Sequence, residues 1–155
     1  MLHPRHLFTT LLLVLFLIPS LPADAEEIKI DGVLDEALWS SAREWTEYFE
    51  SIPFSLAEPK HAQKVLILED EKGMYFGFIN EQPRETIRAN QHQRDNERAN
   101  ADRAGVSIDF DGDGLTAYGF SVSAGGSISD SIYRNENQGN TDWDADWDSA
   151  THIEG

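Results

Sequence analysis

Apolar and polar residues alternate along several short segments, a period that predicts β-strands. The alternation runs over residues 27–30, 104–110, 115–123 and 127–133. Two further segments, residues 65–68 and 74–79, are apolar at nearly every position, and an acidic turn ending in Gly73 separates them, so we expect a hairpin of central strands. Short strands with regular turns indicate an all-β fold, a β-sandwich of mostly antiparallel strands.

One segment near the start of this pattern has helical spacing instead. The apolar residues with this spacing are Leu38, Trp39, Ala42 and Trp45. We therefore expect one short N-terminal helix over residues 36–45, with Asp35 as its cap, followed by a second strand over residues 45–51.

Two polar segments interrupt the strands. Residues 91–103 contain no large apolar side chain, and residues 135–141 are polar and contain a glycine. In a sheet protein such segments are loops, and polar loops on a rigid scaffold are where binding sites lie.

The first 25 residues have the pattern of a secretory signal peptide. An apolar run from Leu7 to Ile18 is followed by prolines and by Ala23-Asp24-Ala25, which has the form of a signal-peptidase site. The run is shorter than the roughly 20 residues that a spanning helix needs. We expect residues 1–25 to be removed and residues 26–155 to form one exported domain without a membrane span, either periplasmic, outer-membrane-associated or secreted.

The composition of the chain disfavours some classes of binding partner. The formal net charge of the chain is -16, which disfavours nucleic acid and anionic lipid surfaces as partners. The chain has no cysteine, so no disulfide supports the exported domain. About 130 residues can bury enough surface for one ordinary core.

The chain ends at Gly155, just after a segment with strand character. No helix, charged tail or other termination signal follows this segment. We expect this sequence to be part of a longer protein in which later strands complete the sheet.

Several motifs, in order along the chain, resemble the family 9 carbohydrate-binding modules. The motifs are Ile30-Asp31-Gly32-Val33-Leu34-Asp35-Glu36-x-x-Trp39, Tyr75-Phe76-Gly77, Arg94-Asp95, Asp102 ahead of a strand ending in Asp109, Tyr118-x-Phe120-x-Val122 and Trp143-Asp144-x-x-Trp147. The resemblance covers most of residues 26–155. It implies a β-sandwich that binds an oligosaccharide or polysaccharide, within a parent protein linked to carbohydrate catabolism and glycoside hydrolases.

A related branch of that family suggests an alternative. Its members carry this domain at the N-terminus of exported bacterial proteins whose remainder resembles an outer-membrane barrel. In that case the domain would have a structural or docking role and no affinity for sugar. The chain has no H-E-x-x-H motif, no nucleophile elbow and no other catalytic constellation, so O-glycosyl hydrolase activity would belong to the parent protein. A glycosidase proper would need two facing carboxylates in a cleft.

Two groups of residues are candidates for sugar binding. Strand alternation over residues 141–148 places Trp143 and Trp147 on one face, opposite four aspartates. A flat indole suits the C–H face of a pyranose, although Trp147 also fits a structural role. The second group is Arg94, Asp95, Asn100 and Asp102, which supply the donors and acceptors that sugar hydroxyls require.

The turn after residue 108 is a candidate calcium site. Asp109, Asp111 and Asp113 occupy alternate positions ahead of Gly114, as in the first half of a calcium loop. The twelfth position of that pattern is Phe120 rather than glutamate, which rules out a helix-loop-helix site. Structural calcium in an irregular turn and an ordinary Asp-Gly hairpin turn are both compatible with these residues.

Overall fold

The computed structural model describes residues 27–96, 98–134 and 138–154. Its strands are β1 (Arg43–Trp45), β2 (Gln63–Glu69), β3 (Met74–Asn80), β4 (Arg103–Ile108), β5 (Thr116–Ser123), β6 (Ile128–Arg134) and β7 (Gln138–Asn140). Two short 3₁₀ turns, Ala37–Ser41 and Arg84–Thr86, are the only helical segments of the described chain. The predicted signal peptide and part of the predicted loop at residues 135–141 lie outside the described residues.

The first sheet has three antiparallel strands in the order β1-β2-β3. The predicted hairpin is confirmed, since β2 and β3 pair from Gln63 with Asn80 to Glu69 with Met74, but only β2 is central and β3 lies at the edge of the described sheet. The carboxylate of Asp70 accepts the backbone N–H of Lys72 and of Gly73, which holds the acidic turn between the two strands.

The N-terminal helix and the strands at residues 27–30 and 45–51 were predicted wrongly, and the strand near the latter, β1, ends at Trp45. Residues 27–30 pair with no strand in the described chain, and the backbone N–H of Lys29 bonds instead to Oε1 of Glu36 at 2.8 Å. The helical spacing ends in a 3₁₀ turn of five residues, because Ala42 is already extended and β1 begins at Arg43. Glu36, not Asp35, precedes the turn, and its side chain caps no backbone N–H there.

Trp39 lies against the first sheet and is held there by Glu36. The indole Nε1–H of Trp39 donates to Oε2 of Glu36 at 2.9 Å, and both residues are buried. A Cβ added to Gly77 on β3 would lie 2.8 Å from Leu34 and 3.3 Å from the Trp39 ring. The absence of a side chain at Gly77 therefore lets the N-terminal segment pack onto the sheet.

The second sheet has four antiparallel strands in the order β4-β5-β6-β7. The strands predicted over residues 104–110, 115–123 and 127–133 are confirmed as β4, β5 and β6, and burial alternates along β4. Registers Val106–Phe120–Asp130 and Ile108–Tyr118–Ile132 place these side chains on one face. The opposite face carries mostly serine and glycine.

Residues 141–154 form no strand, contrary to prediction, but burial alternates as predicted over residues 141–148. Trp143, Ala145 and Trp147 are half-buried, and the aspartates between them are exposed. Further along, Thr151 lies against Gly32 and its hydroxyl donates to the carbonyl of Ala124 at 3.4 Å. The segment thus contacts other elements but forms no strand pairing with them.

The described chain is all-β, and its two antiparallel sheets are consistent with a sandwich. The second sheet and the segment over it position most of the predicted site residues.

Candidate functional site

The centre of the site is a buried carboxylate. Asp130 on β6 is 1% exposed, and both of its oxygens accept from Nη2 of Arg94, at 2.7 and 2.8 Å. Its Oδ2 also accepts the backbone N–H of Ala145 at 2.7 Å and the indole N–H of Trp147 at 3.3 Å. A buried carboxylate is tolerated only when it is paired and hydrogen-bonded, and Asp130 is both. It therefore connects the polar loop and the tryptophan segment to the sheet.

Arg94 lies among three carboxylates. Besides Asp130, its Nε is 3.0 Å from Oδ1 of Asp144 and 3.6 Å from Oδ2 of Asp95. The hydrogen bond to Asp130 is the largest of the effects that raise the pKa of Arg94. Arg94 supplies the positive charge that the close aspartates require.

Asp95 has the backbone conformation that brings its side chain to Asp130. Its φ is 60°, in the left-handed region that aspartate tolerates better than most residues. Its backbone N–H donates to the carbonyl of Ile128 at 3.2 Å, and its Oδ1 accepts the N–H of Asp130 at 3.1 Å. The loop is thereby fixed to β6 at two points.

Asp95, Asp130 and Asp144 could hold a metal ion, since one oxygen from each lies within 4.8 Å of the others. Within the described ranges this is the one such group of acidic or histidine side chains. The guanidinium of Arg94 already contacts all three carboxylates, so a cation would compete with it for the same oxygens.

A second polar network contains Asn100 and Asp102. The Asp102 carboxylate accepts from Nε and from the backbone N–H of Arg88, at 2.8 and 2.9 Å, and from Nε2 of Gln82 at 2.9 Å. Nη1 of Arg88 donates to Oδ1 of Asn100 at 2.9 Å. Burial alone would raise the pKa of Asp102, but these hydrogen bonds outweigh it and hold the pKa below its usual value.

Five aromatic rings form a continuous ladder over the second sheet. Centroids are 5.5 Å apart for Phe110 and Tyr118, 5.0 Å for Tyr118 and Trp143, 6.0 Å for Trp143 and Phe120, and 5.6 Å for Phe120 and Trp147. The rings are tilted or edge-on, the arrangements that aromatic pairs favour. One end of the ladder, Phe110, is 63% exposed, and the other end, Trp147, donates to Asp130.

The structure thus brings together four of the six predicted binding residues. Trp147, Arg94 and Asp95 converge on Asp130, and Trp143 joins them through Phe120. Asn100 and Asp102 belong to the Arg88 network instead.

Sequence reasoning missed Asp130 and Arg88. Asp130 had a signal: it is an acidic residue between Ile128 and Ile132, on the apolar phase of its strand. Such a residue needs a partner, and an arginine in a nearby loop is the natural candidate. Arg88 lies just before the polar segment at residues 91–103, and nothing in the local sequence pattern distinguishes it from other surface arginines.

The predicted calcium residues occupy an exposed turn between β4 and β5. The Asp109 carboxylate accepts the backbone N–H of Asp111, Gly112 and Gly114, at 3.1, 2.8 and 2.7 Å. These bonds, that from Gly114 first, hold the pKa of Asp109 below its usual value. Both carboxylate oxygens of Asp109 therefore already accept backbone N–H groups of the turn. Calcium at this position stays a prediction.

Comparison with protein-family models, curated protein sequences and solved structures found no match for this chain. None of the helical segments in the described residues is long and apolar enough to cross a membrane.

Proposed function

We propose that this chain is a non-catalytic carbohydrate-binding domain of an exported protein, with its two sheets packed as a β-sandwich. The observation that carries the proposal is the junction of the aromatic ladder with the Arg94 cluster at Trp147. Aromatic faces and charged hydrogen-bonding groups lie side by side there, on one surface of the second sheet.

Sugar recognition needs both parts of this surface. The C–H face of a pyranose packs on an aromatic ring, and its hydroxyls require donors and acceptors at the rim. Trp143 is half-buried between Tyr118 and Phe120, so packing fixes its ring while part of it stays accessible. A ring held in place loses little conformational entropy when it binds a ligand.

The resemblance to family 9 carbohydrate-binding modules supports the same class of ligand. On that basis the ligand is an oligosaccharide or polysaccharide, and the parent protein takes part in carbohydrate catabolism alongside glycoside hydrolase modules. Calcium, at Asp109, Asp111 and Asp113 or among the carboxylates around Arg94, would have a structural role.

A calorimetric titration with xylo- and cello-oligosaccharides tests the proposal. We expect saturable heat that Trp143→Ala abolishes, because the mutation removes the middle ring of the ladder. Trp45→Ala is the matched control, since Trp45 is 41% exposed but lies on the first sheet. Repeating the titration with calcium and then with chelator tests the cation.

A second candidate function is docking to another part of a longer exported protein. The observation that favours it is the loop between β1 and β2, whose exposed large apolar residues are Phe49, Ile52, Phe54 and Leu56. Exposed apolar groups of this kind mark interaction surfaces. A folded chain that gives no heat with any of the sugars would exclude the binding domain and leave docking as the function.

A further inference from the structure

The aromatic ladder continues past the end of β4 to an exposed ring. Phe110 lies two residues beyond Ile108, the last residue of β4, and keeps the apolar phase of that strand. Its ring contacts that of Tyr118 at a centroid distance of 5.5 Å and an interplanar angle of 53°. Phe110 is nevertheless 63% exposed, whereas the other four rings of the ladder are half-buried. The ladder therefore has one free end, at the turn between β4 and β5.

The turn that carries Phe110 is held in one shape by its own hydrogen bonds. The Asp109 carboxylate accepts three backbone N–H groups of the turn. Gly112 and Gly114 have φ values of 66° and 73°, a left-handed conformation that glycine adopts without steric cost. Phe110 is thus presented by a preformed turn, and its contact with Tyr118 fixes the ring. A ligand that packs on this ring has little side-chain or loop freedom to freeze.

A hydrogen-bond acceptor directly follows the exposed ring. Asp111 is exposed, and its carboxylate makes no hydrogen bond or ion pair with any part of the chain that the structure describes. An ionised carboxylate only accepts hydrogen bonds, and sugar hydroxyls can donate them. At the opposite end of the ladder, Trp147 lies beside Arg94 and Asp144, whose side chain is 71% exposed. Each end of the ladder therefore combines an aromatic ring with groups that can hydrogen-bond hydroxyls.

The ladder is longer than a short sugar. Neighbouring ring centroids are between 5.0 and 6.0 Å apart, and four such contacts join Phe110 to Trp147. A pyranose ring is similar in size to a single aromatic side chain, so a disaccharide covers only part of the ladder. The charged donors and acceptors around Arg94 lie at the Trp147 end, where they would hold a short ligand. Only a longer chain reaches from there to Phe110.

We propose that Phe110 forms an outer subsite of the aromatic ladder, so that the ligand is an extended glycan chain rather than a mono- or disaccharide. One end of the chain is held by the groups around Arg94. A unit further along packs its C–H face on the Phe110 ring and donates a hydroxyl to Asp111. This inference rests on the proposed carbohydrate-binding function, and it adds the length of the ligand and the direction in which the ligand lies.

Calorimetric titration with xylo- and cello-oligosaccharides of increasing length, from the disaccharide to the hexasaccharide, tests this proposal. We expect the affinity of the unmutated chain to rise with length beyond the disaccharide. Phe110→Ala should weaken hexasaccharide binding about two- to tenfold, the range of one aromatic contact, and leave disaccharide binding unchanged.

Two further variants show whether the ring itself is responsible. Phe110→Tyr keeps an aromatic ring and should keep the dependence on length. Phe49→Ala is the matched control, because Phe49 is 64% exposed but lies in the loop between β1 and β2. It should leave the affinity for every sugar unchanged.

The outcomes separate the outer subsite from the proposed function. A loss of affinity in Phe110→Ala that is confined to the longer sugars supports the subsite. Binding that Trp143→Ala abolishes and Phe110→Ala leaves unchanged at every length overturns the subsite and leaves the proposed function standing. Equal weakening at every length also overturns it, because Phe110 would then act through its packing on Tyr118. An affinity of the unmutated chain that does not rise beyond the disaccharide overturns the extended ligand. Absence of heat with every sugar overturns both proposals.

Discussion

Three carboxylates, those of Glu36, Asp102 and Asp130, each accept hydrogen bonds from residues elsewhere in the chain. Glu36 bonds Lys29 and Trp39, Asp102 bonds Gln82 and Arg88, and Asp130 bonds Arg94, Ala145 and Trp147. Each of the three fixes irregular segments where no strand pairing is available to do so.

Glu36→Ala should destabilise the protein by about 1–3 kcal/mol, because it leaves the buried indole N–H of Trp39 without an acceptor. Urea unfolding followed by tryptophan fluorescence measures the change. Asp35→Ala is the control: Asp35 is exposed, so its removal should change the free energy of unfolding by less than about 0.5 kcal/mol. Equal losses in the two variants would contradict the role given to Glu36.

Asp102 should contribute to acid sensitivity. Its folded pKa lies below the ordinary value of 3.8, so its stabilising effect is fully present above that value and is lost as the pH falls through the folded pKa. Asp102→Asn should therefore flatten the fall in unfolding free energy below about pH 4. Asp146→Asn removes the same charge from an exposed position and is the matched control. Parallel curves for Asp102→Asn and the unmutated chain would contradict the assignment.

At the scale of elements, strands with a clear period of two were predictable. β4 to β6 follow from apolar alternation, and β2 and β3 follow from nearly continuous apolar segments separated by a turn that ends in glycine. The structure of the N-terminal segment was predicted wrongly, since Lys29 and Trp39 bond to a single side chain, Glu36, rather than to a backbone ladder. Local pattern does not record a tertiary contact of that kind.

Only part of the candidate site could be predicted from the sequence. Arg94, Asp95 and Trp147 stand out as polar or aromatic residues on loops, but Asp130 lies inside a strand whose other features are ordinary. Which arginine meets which carboxylate depends on how the loop folds over β6, and the positive φ of Asp95 determines that path.

Gly77→Val tests how the N-terminal segment covers the first sheet. The new side chain would collide with Leu34 and Trp39, and overpacking of this kind costs about 1–3 kcal/mol. Adding Leu34→Ala should recover part of the loss, because it opens space at the collision. A double-mutant cycle from urea unfolding measures the coupling. Strictly additive effects would show that Leu34 and Gly77 do not pack together in solution.

Charge dominates the behaviour of the whole molecule. The net charge of -16 produces self-repulsion in the compact state, which salt screens. Raising sodium chloride from about 0.01 M to about 1 M shortens the Debye length from roughly 30 Å to 3 Å, and we expect the unfolding temperature to rise. Thermal unfolding by circular dichroism measures it, with an uncharged osmolarity control. A fall in unfolding temperature would mean that attractive ion pairs outweigh the repulsion.

The exposed aspartates of residues 141–148 have a consequence for how copies of this protein behave together. Asp142, Asp146 and Asp148 alternate with half-buried residues along a backbone that pairs with no strand in the described chain. A strand from another molecule could add to such a backbone only by crowding this row and stripping its water. We therefore expect the row to disfavour association between copies of the chain through this segment.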